Sequence, residues 1–471
     1  MATAIARRDW LGVPLLTVLA ALVGAVVSVA PDMTVGLIAS CLALVLAFRT
    51  PVLHLTLLLL LTLVVPFSVQ NALSGGGGAG VFPSDVLLVT GLLRGAVVLL
   101  QRPLGRARLV AAGLMVAFLA GIVVQVLHGR AVGADISQAG GEARALLGFG
   151  TLLIALPIVA DAEARARLLA AMLLVGAILG GWGIAQWVLD IEFGGTGDVG
   201  VREGINYTTA GRGQVQGGLY GFAVAILMAS AFLVSAPPRS IRVRGALLAV
   251  VILNTVSLLL TYERTFWVAA TVGLALIIIR ADGMQRIKAI AWTVATAAIM
   301  AGALATLTPA ISTAARERFL SLGQYASDDS LRYRIVESRH VAAQISERPI
   351  VGSGLAAQIF WGRPWSQIPE RAYYYNHNGY LALAWKLGVP LAIVLLVLVA
   401  WSIAGRGPAA GDPSDRALLT GAQAGLLALA LVNVTFPSFS SLAITSAIGA
   451  LLAVCAAGKD PSSDRCSTRT V

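Results

Sequence analysis

Charge is what this chain has least of. Only 12% of its 471 residues are Asp, Glu, Lys or Arg, against 58% hydrophobic residues, and the mean hydropathy is +0.84. Soluble domains carry about a quarter charged residues, so the composition excludes a water-soluble globule and marks an integral membrane protein. Cysteine is almost missing: Cys41, Cys455 and Cys466 make no disulfide framework and no metal-ligand spacing. Cys41 and Cys455 lie in apolar runs and read as packing residues. Lysine is nearly absent too, with Lys288, Lys386 and Lys459 the three among 34 basic residues. No glycine-rich phosphate loop ending in lysine occurs, which speaks against an ATP-driven pump. No His or acidic pair has ligand spacing, so no metal is expected. The formal charge of +11 is dispersed as arginines at the ends of apolar runs, so nucleic acid is not an expected partner.

What is present is a succession of apolar runs of roughly 17 to 25 residues, each long enough to cross ~30 Å of hydrocarbon as a helix. Backbone groups in lipid must be satisfied within their own segment, so the predicted fold is all-α, a polytopic bundle of about 12–14 spans. Spans are predicted at 11–30, 33–48, 51–70, 84–101, 109–127, 144–160, 168–190, 214–235, 245–262, 265–280, 289–308, 378–403, 417–434 and 440–457. The first follows Arg7 and Arg8, and the many later spans favour an uncleaved helix over a signal peptide. Short runs such as 33–48 fit a re-entrant segment as well as a crossing, which is why the expected count extends down to 12.

With the N-terminus inside, every inner segment is basic. They hold Arg7 and Arg8, Arg49, Arg102 to Arg108, Arg165 and Arg167, Arg239 to Arg244, and Arg280 to Lys288. Arg406 and Arg416, then Lys459 to Arg469, complete the set. This is the positive-inside pattern, and it places both termini in the cytoplasm. The expected organisation is a helical region at 1–308, an extracytoplasmic loop at 309–377, C-terminal helices at 378–457 and a tail at 458–471.

The stretch from Ser327 to Val389 is the one long polar segment. Ser327, Asp328 and Asp329 are N-cap candidates for a helix beginning near Ser330, which Pro349 stops. Leu331, Ile335, Val341 and Ile345 have near-helical spacing and predict the apolar stripe. Gly352 and Gly354 mark a turn, and Phe360, Trp361 and Trp365 follow it. Such rings favour the membrane–water boundary, so the helix is expected to lie on the outer surface and close over a cavity.

Four outward arginines are candidates for chemistry: Arg212 in AGRGQVQGG, Arg264 in the corner of LLLTYERTFWVAA, and Arg332 and Arg334 on the loop helix. Arginine at membrane depth is costly unless it is paired or faces a wet cavity. Its planar fork suits phosphate oxygens, and several forks together would stabilise a diphosphate leaving group without a metal. The plainer alternatives are an ion pair of Arg264 with Glu263, or headgroup contacts for Arg332 and Arg334. His377 follows Tyr373, Tyr374, Tyr375 and Asn376 and precedes Asn378, where an apolar helix begins. Imidazole is suited to taking a proton from a hydroxyl near neutral pH, while a boundary histidine that only hydrogen-bonds is the alternative. His54, His128 and His340 are weaker candidates.

Taken together these motifs resemble the O-antigen ligase and polymerase superfamily of membrane glycosyltransferases. The family's His-Asn-x-x-Leu motif matches His377-Asn378-Gly379-Tyr380-Leu381, followed by Leu387-Gly388. Its Arg-rich helix matches Leu331-Arg332-Tyr333-Arg334, and its Pro and Gly-x-Gly pattern matches Pro349-Ile350-Val351-Gly352-Ser353-Gly354. Its corner arginine matches Arg264, and its arginine before a glycine-rich span matches Arg212. Glu263 and Lys386 depart from the pattern, as do Gln214 and Gln216. The resemblance implies a bacterial cytoplasmic-membrane enzyme with an extracytoplasmic site. It would move a glycan from a polyprenyl diphosphate carrier to a hydroxyl of a glycolipid, growing glycan or protein, with inversion and no cofactor. In that scheme Arg212, Arg264 and Arg334 hold the diphosphate with support from Arg332, and His377 activates the acceptor with support from Asn378 and Tyr375. Membrane lipids are the remaining expected partner. A lipid-glycan flippase or secondary transporter is the reading from another class, and it predicts repeated halves that the sequence does not display.

Overall fold

The computed structural model describes residues 45, 48–65, 82–101, 104–189, 218–261, 263–306, 329–363, 368–405 and 412–459. The predicted spans at 11–30 and, almost wholly, 33–48 lie outside them, as does Arg212. The described part is mostly helical, and seven helices in it are long and apolar enough to cross a membrane.

The chain alternates between the two ends of a bundle. Helices α1 (Pro51–Leu63), α2 (Pro83–Gln101), α3 (Arg106–Ala131) and α4 (Ile136–Leu147) come first; a short 3-10 turn then leads into α5 (Thr151–Val159). α6 (Ala162–Leu189), α7 (Gly218–Ser235), α8 (Ile241–Leu260), α9 (Arg264–Arg280) and α10 (Gly283–Thr306) follow. After the loop come α12 (Gly379–Leu387), α13 (Val389–Ala404), α14 (Pro413–Val432) and α15 (Leu442–Ala457). Side chains position the starts: Thr50 caps α1 through Leu53 N, Asp135 caps α4, and Asp412 caps α14.

Nearly every residue of α7 and α15 is buried, so these two form the centre, with α14 packed on α7 and α5 on α15. Apolar burial is not itself a driving force in lipid, and close backbone approach takes over that role. Gly449 shows this: a Cβ there would meet the Phe149 carbonyl at 2.6 Å. Cys455 is buried in α15, as its apolar run predicted.

Basic residues gather at one end of the bundle. Arg165 pairs with Asp415 at 2.8 Å, Arg280 reaches Gln423 and the Ile403 carbonyl, and Lys459 reaches the Trp401 carbonyl. These contacts tie the ends of α6, α9, α13, α14 and α15 together and satisfy carbonyls at the end of α13.

The loop differs from expectation in two ways. α11 (Asp329–Glu347) forms where predicted, but its buried positions are Tyr333, Glu337 and Val341, while Ile335 is exposed. That face is taken up by protein: Tyr333 and Val341 pack with Trp385 and Ile359. After the turn the chain also forms a hairpin, β1 (Ile359–Arg363) antiparallel to β2 (Ile368–Tyr373), that pairs Ile359 with Tyr373. Its β-branched and aromatic residues suit a strand, a signal outweighed by the helical context of the rest of the chain. The predicted span at 378–403 is two helices, because Gly388 holds a φ of +80° between α12 and α13.

Candidate active site

His377 lies between β2 and α12, part-buried, with its Nδ1 2.9 Å from the Oε2 of Glu337. The His377 backbone N–H donates to the same oxygen at 3.2 Å. Glu337 is fully buried, and a carboxylate only accepts, so Nδ1 carries the hydrogen and, in the neutral ring, the lone pair is on Nε2. The ring stands between two aromatic edges, Tyr333 at 5.3 Å and Tyr375 at 5.4 Å between centroids. This packing and the Glu337 bond together set one orientation of the imidazole.

Asn378 is a helix cap. Its Oδ1 accepts from the backbone N–H groups of Tyr380 and Leu381, both at 3.1 Å, which starts α12 directly after the histidine. Asn376 is buried and accepts from the Asn378 N–H at 2.7 Å, so the approach to His377 is also locally ordered.

The glycine turn is stitched to the bundle. Gly352 and Gly354 have φ of +74° and +84°, the left-handed region that favours glycine. Ser353 N–H donates to the Trp385 carbonyl at 2.8 Å and Gly354 N–H to the Lys386 carbonyl at 3.1 Å. From α3, Gln125 donates to the carbonyls of Val351 at 2.7 Å and Leu387 at 3.2 Å. Glu142 on α4 accepts from the Ala356 N–H at 2.9 Å and pairs with Lys386, which also donates to the Tyr374 carbonyl. The departure at Lys386 is thus an ion pair with Glu142 that joins α12 to α4 and reaches the loop at Tyr374, three residues before His377.

Arg264 opens α9, half-buried, with Glu263 as the preceding cap position. Its neighbour Thr265 shares a 3.1 Å hydrogen bond with Thr435, and Gly379 N–H donates to the Asn433 carbonyl at 2.8 Å. The corner arginine and the histidine motif therefore flank one segment, the turn after α14. Arg332 and Arg334 sit on either side of Tyr333 on α11, the first exposed and the second half-buried. The candidates His377, Tyr375, Arg332 and Arg334 share the α11 side of the site, and Arg264 reaches the same end of the bundle.

Sequence reasoning missed Glu337, Glu142 and Gln125. Glu337 had a signal, since an acid four residues from Tyr333 and from Val341 falls on the buried face. Glu142 and Gln125 had none. Among the described residues no three His, Cys, Asp or Glu side chains stand close enough to hold a metal ion.

Residues 249–396, from within α8 to within α13, match the family model described as Wzy_C, O-antigen ligase. That span takes in Arg264, all of α11, the hairpin and His377. No curated protein matches the chain significantly. The chain is a multi-pass membrane protein, and over residues 249–396 it is similar to the O-antigen ligase family.

Proposed function

We propose that this protein transfers a glycan from a polyprenyl diphosphate carrier to an acceptor hydroxyl at the outer face of the cytoplasmic membrane. The acceptor O–H gives its proton to Nε2 of His377 as the oxygen attacks the anomeric carbon. The new C–O bond forms on the face opposite the breaking bond to the diphosphate, so the configuration inverts. The electron pair leaves on the diphosphate oxygen, where Arg264, Arg334, Arg332 and Arg212 offset the developing charge. Glu337 holds Nδ1 and so presents Nε2 to the acceptor, a positioning role. Tyr375 and Asn378 keep the ring and its backbone in place. The ester already carries the activation, so the step needs neither nucleotide nor metal. The same chemistry serves a ligase acting on a lipid or protein acceptor and a polymerase acting on a growing glycan.

The observation that supports this reading best is the His377–Glu337 pair, inside the matched domain and beside an arginine-bearing helix. The test is transfer from purified lipid-linked donor by the protein in proteoliposomes. His377→Ala and Arg264→Ala should each abolish product while expression and insertion stay normal. Full activity in either variant refutes the assignment.

A further inference from the structure

The turn that follows α11 carries two large aliphatic side chains on its outside. Ile350 is 74% exposed and Val351 50% exposed, although the backbone around them is held firmly by the bundle. The Arg348 carbonyl accepts from the Gly352 N–H at 2.9 Å, and the Pro349 carbonyl from the Val389 N–H at 2.8 Å. The Val351 carbonyl accepts from the Gln125 side chain at 2.7 Å. Such pairing is what irregular backbone requires at membrane depth, where water does not take up carbonyls.

Gln125 supplies the second observation, because it fixes the level of the turn. It is a buried amide in α3, a helix long and apolar enough to cross the membrane, and its Nε2 donates to the carbonyls of Val351 and Leu387. It stands roughly 9 Å along the axis before the end of α3 at Ala131. The glycines one turn away on either side agree with that level. A Cβ on Gly129 would meet the Leu355 carbonyl at 2.5 Å, and one on Gly121 would meet Leu391 of α13. The turn is thus seated against α3 inside its span, not above it. The flanking helices expose Val124 and Ile393, so Ile350 and Val351 extend an apolar face that already meets lipid. Arg348 is exposed just before Pro349, and its long stem lets the charge reach headgroups.

We propose that the turn from Pro349 to Val351 is a membrane anchor, with Ile350 and Val351 inserted among the acyl chains of the leaflet on the His377 side. Bilayer chains are the occupant because the exposed pair is level with a membrane-spanning helix and continuous with its lipid face. The anchor holds the end of α11, the helix that carries Glu337, at the hydrocarbon boundary. His377 then opens at the lipid surface and not into bulk solvent. This inference goes beyond the glycan-transfer reading and does not depend on it.

The test is fluorescence quenching on the full-length protein, without donor or acceptor, in vesicles of synthetic phosphatidylcholine. In a background lacking Cys41, Cys455 and Cys466, Ile350→Cys and Val351→Cys are each labelled with a nitrobenzoxadiazole fluorophore. Val124→Cys marks the same level on the lipid face of α3, and Gln358→Cys marks the exposed start of the hairpin. Phosphatidylcholine bearing a nitroxide high on its acyl chain should quench the labels at Ile350 and Val351 as strongly as the label at Val124. The label at Gln358 should keep its emission. If one of the two turn variants does not fold, the other decides. Three outcomes would each overturn the proposal. The first is emission at both turn sites as unquenched and water-like as at Gln358. The second is blue-shifted emission that the nitroxide lipid does not quench, which means cover by protein, such as a second copy of the chain. The third is quenching that appears only after a polyprenyl phosphate is added, which assigns the face to a carrier tail.

Discussion

Glu337 and His377 are 40 residues apart in the chain, yet one carboxylate oxygen of Glu337 takes hydrogen bonds from both the ring and the backbone of His377. Because Glu337 is fully buried, the imidazole has one orientation rather than several. For Glu337→Gln we expect a fall in kcat of roughly 10² with the donor KM little changed, within the range for general-base positioning. Steady-state kinetics on the reconstituted protein decides this. A rise in KM alone would instead mean that Glu337 shapes donor binding.

Lys386 and Glu142 form a nearly buried pair, with side chains 10% and 14% exposed. Removing one partner strands the other charge, so Lys386→Met should destabilise by about 3 kcal/mol. Lys386→Met combined with Glu142→Gln should recover part of that loss. Unfolding midpoints in detergent for the two singles and the double give the coupling. Additive losses would show that the pair does not act as a unit.

Gly388 separates α12 from α13 at a φ of +80°, and a Cβ there would collide with the Ile350 carbonyl. Gly388→Ala should therefore cost about 3 kcal/mol or more, from backbone strain and overpacking together. Gly133 has a similar φ of +85° but open space around it. Gly133→Ala should cost only about 1 kcal/mol. Comparing the thermal stability of the two variants separates the clash from the strain.

Sidedness is tested by thiol labelling in a background lacking Cys41, Cys455 and Cys466. Gln358→Cys, on the exposed start of the hairpin, should react with an impermeant reagent applied to intact cells. Arg244→Cys, at the other end of the bundle, should react only after lysis. The reverse pattern would invert the topology.

Much of the fold is legible in the sequence. The spans now seen as α2, α3, α6 and α8 stand out as apolar runs, and α11 begins at the acidic cap cluster and stops before Pro349. The apolar stripe on α11 was displaced because Ile335 is apolar by type and outward by geometry. Tyr333 and Glu337 were passed over because neither is aliphatic. The hairpin was passed over because two short strands leave only a weak periodic signal.

What the sequence determined by itself is whatever a local signal carries. Hydropathy sets the membrane class, the basic ends set the alternation of helices, and caps, prolines and glycines set where helices start and break. The order of the arginine, glycine and histidine motifs pointed to the family. Tertiary structure alone decided which acid serves His377 and which charge neutralises Lys386. Only the fold, too, shows that Gln125 holds the glycine turn. Those partners lie 40, 244 and 226 residues apart, and no periodicity or spacing records a contact made by folding the chain back on itself. Position in a sequence limits what a side chain can touch, but packing chooses among the possibilities.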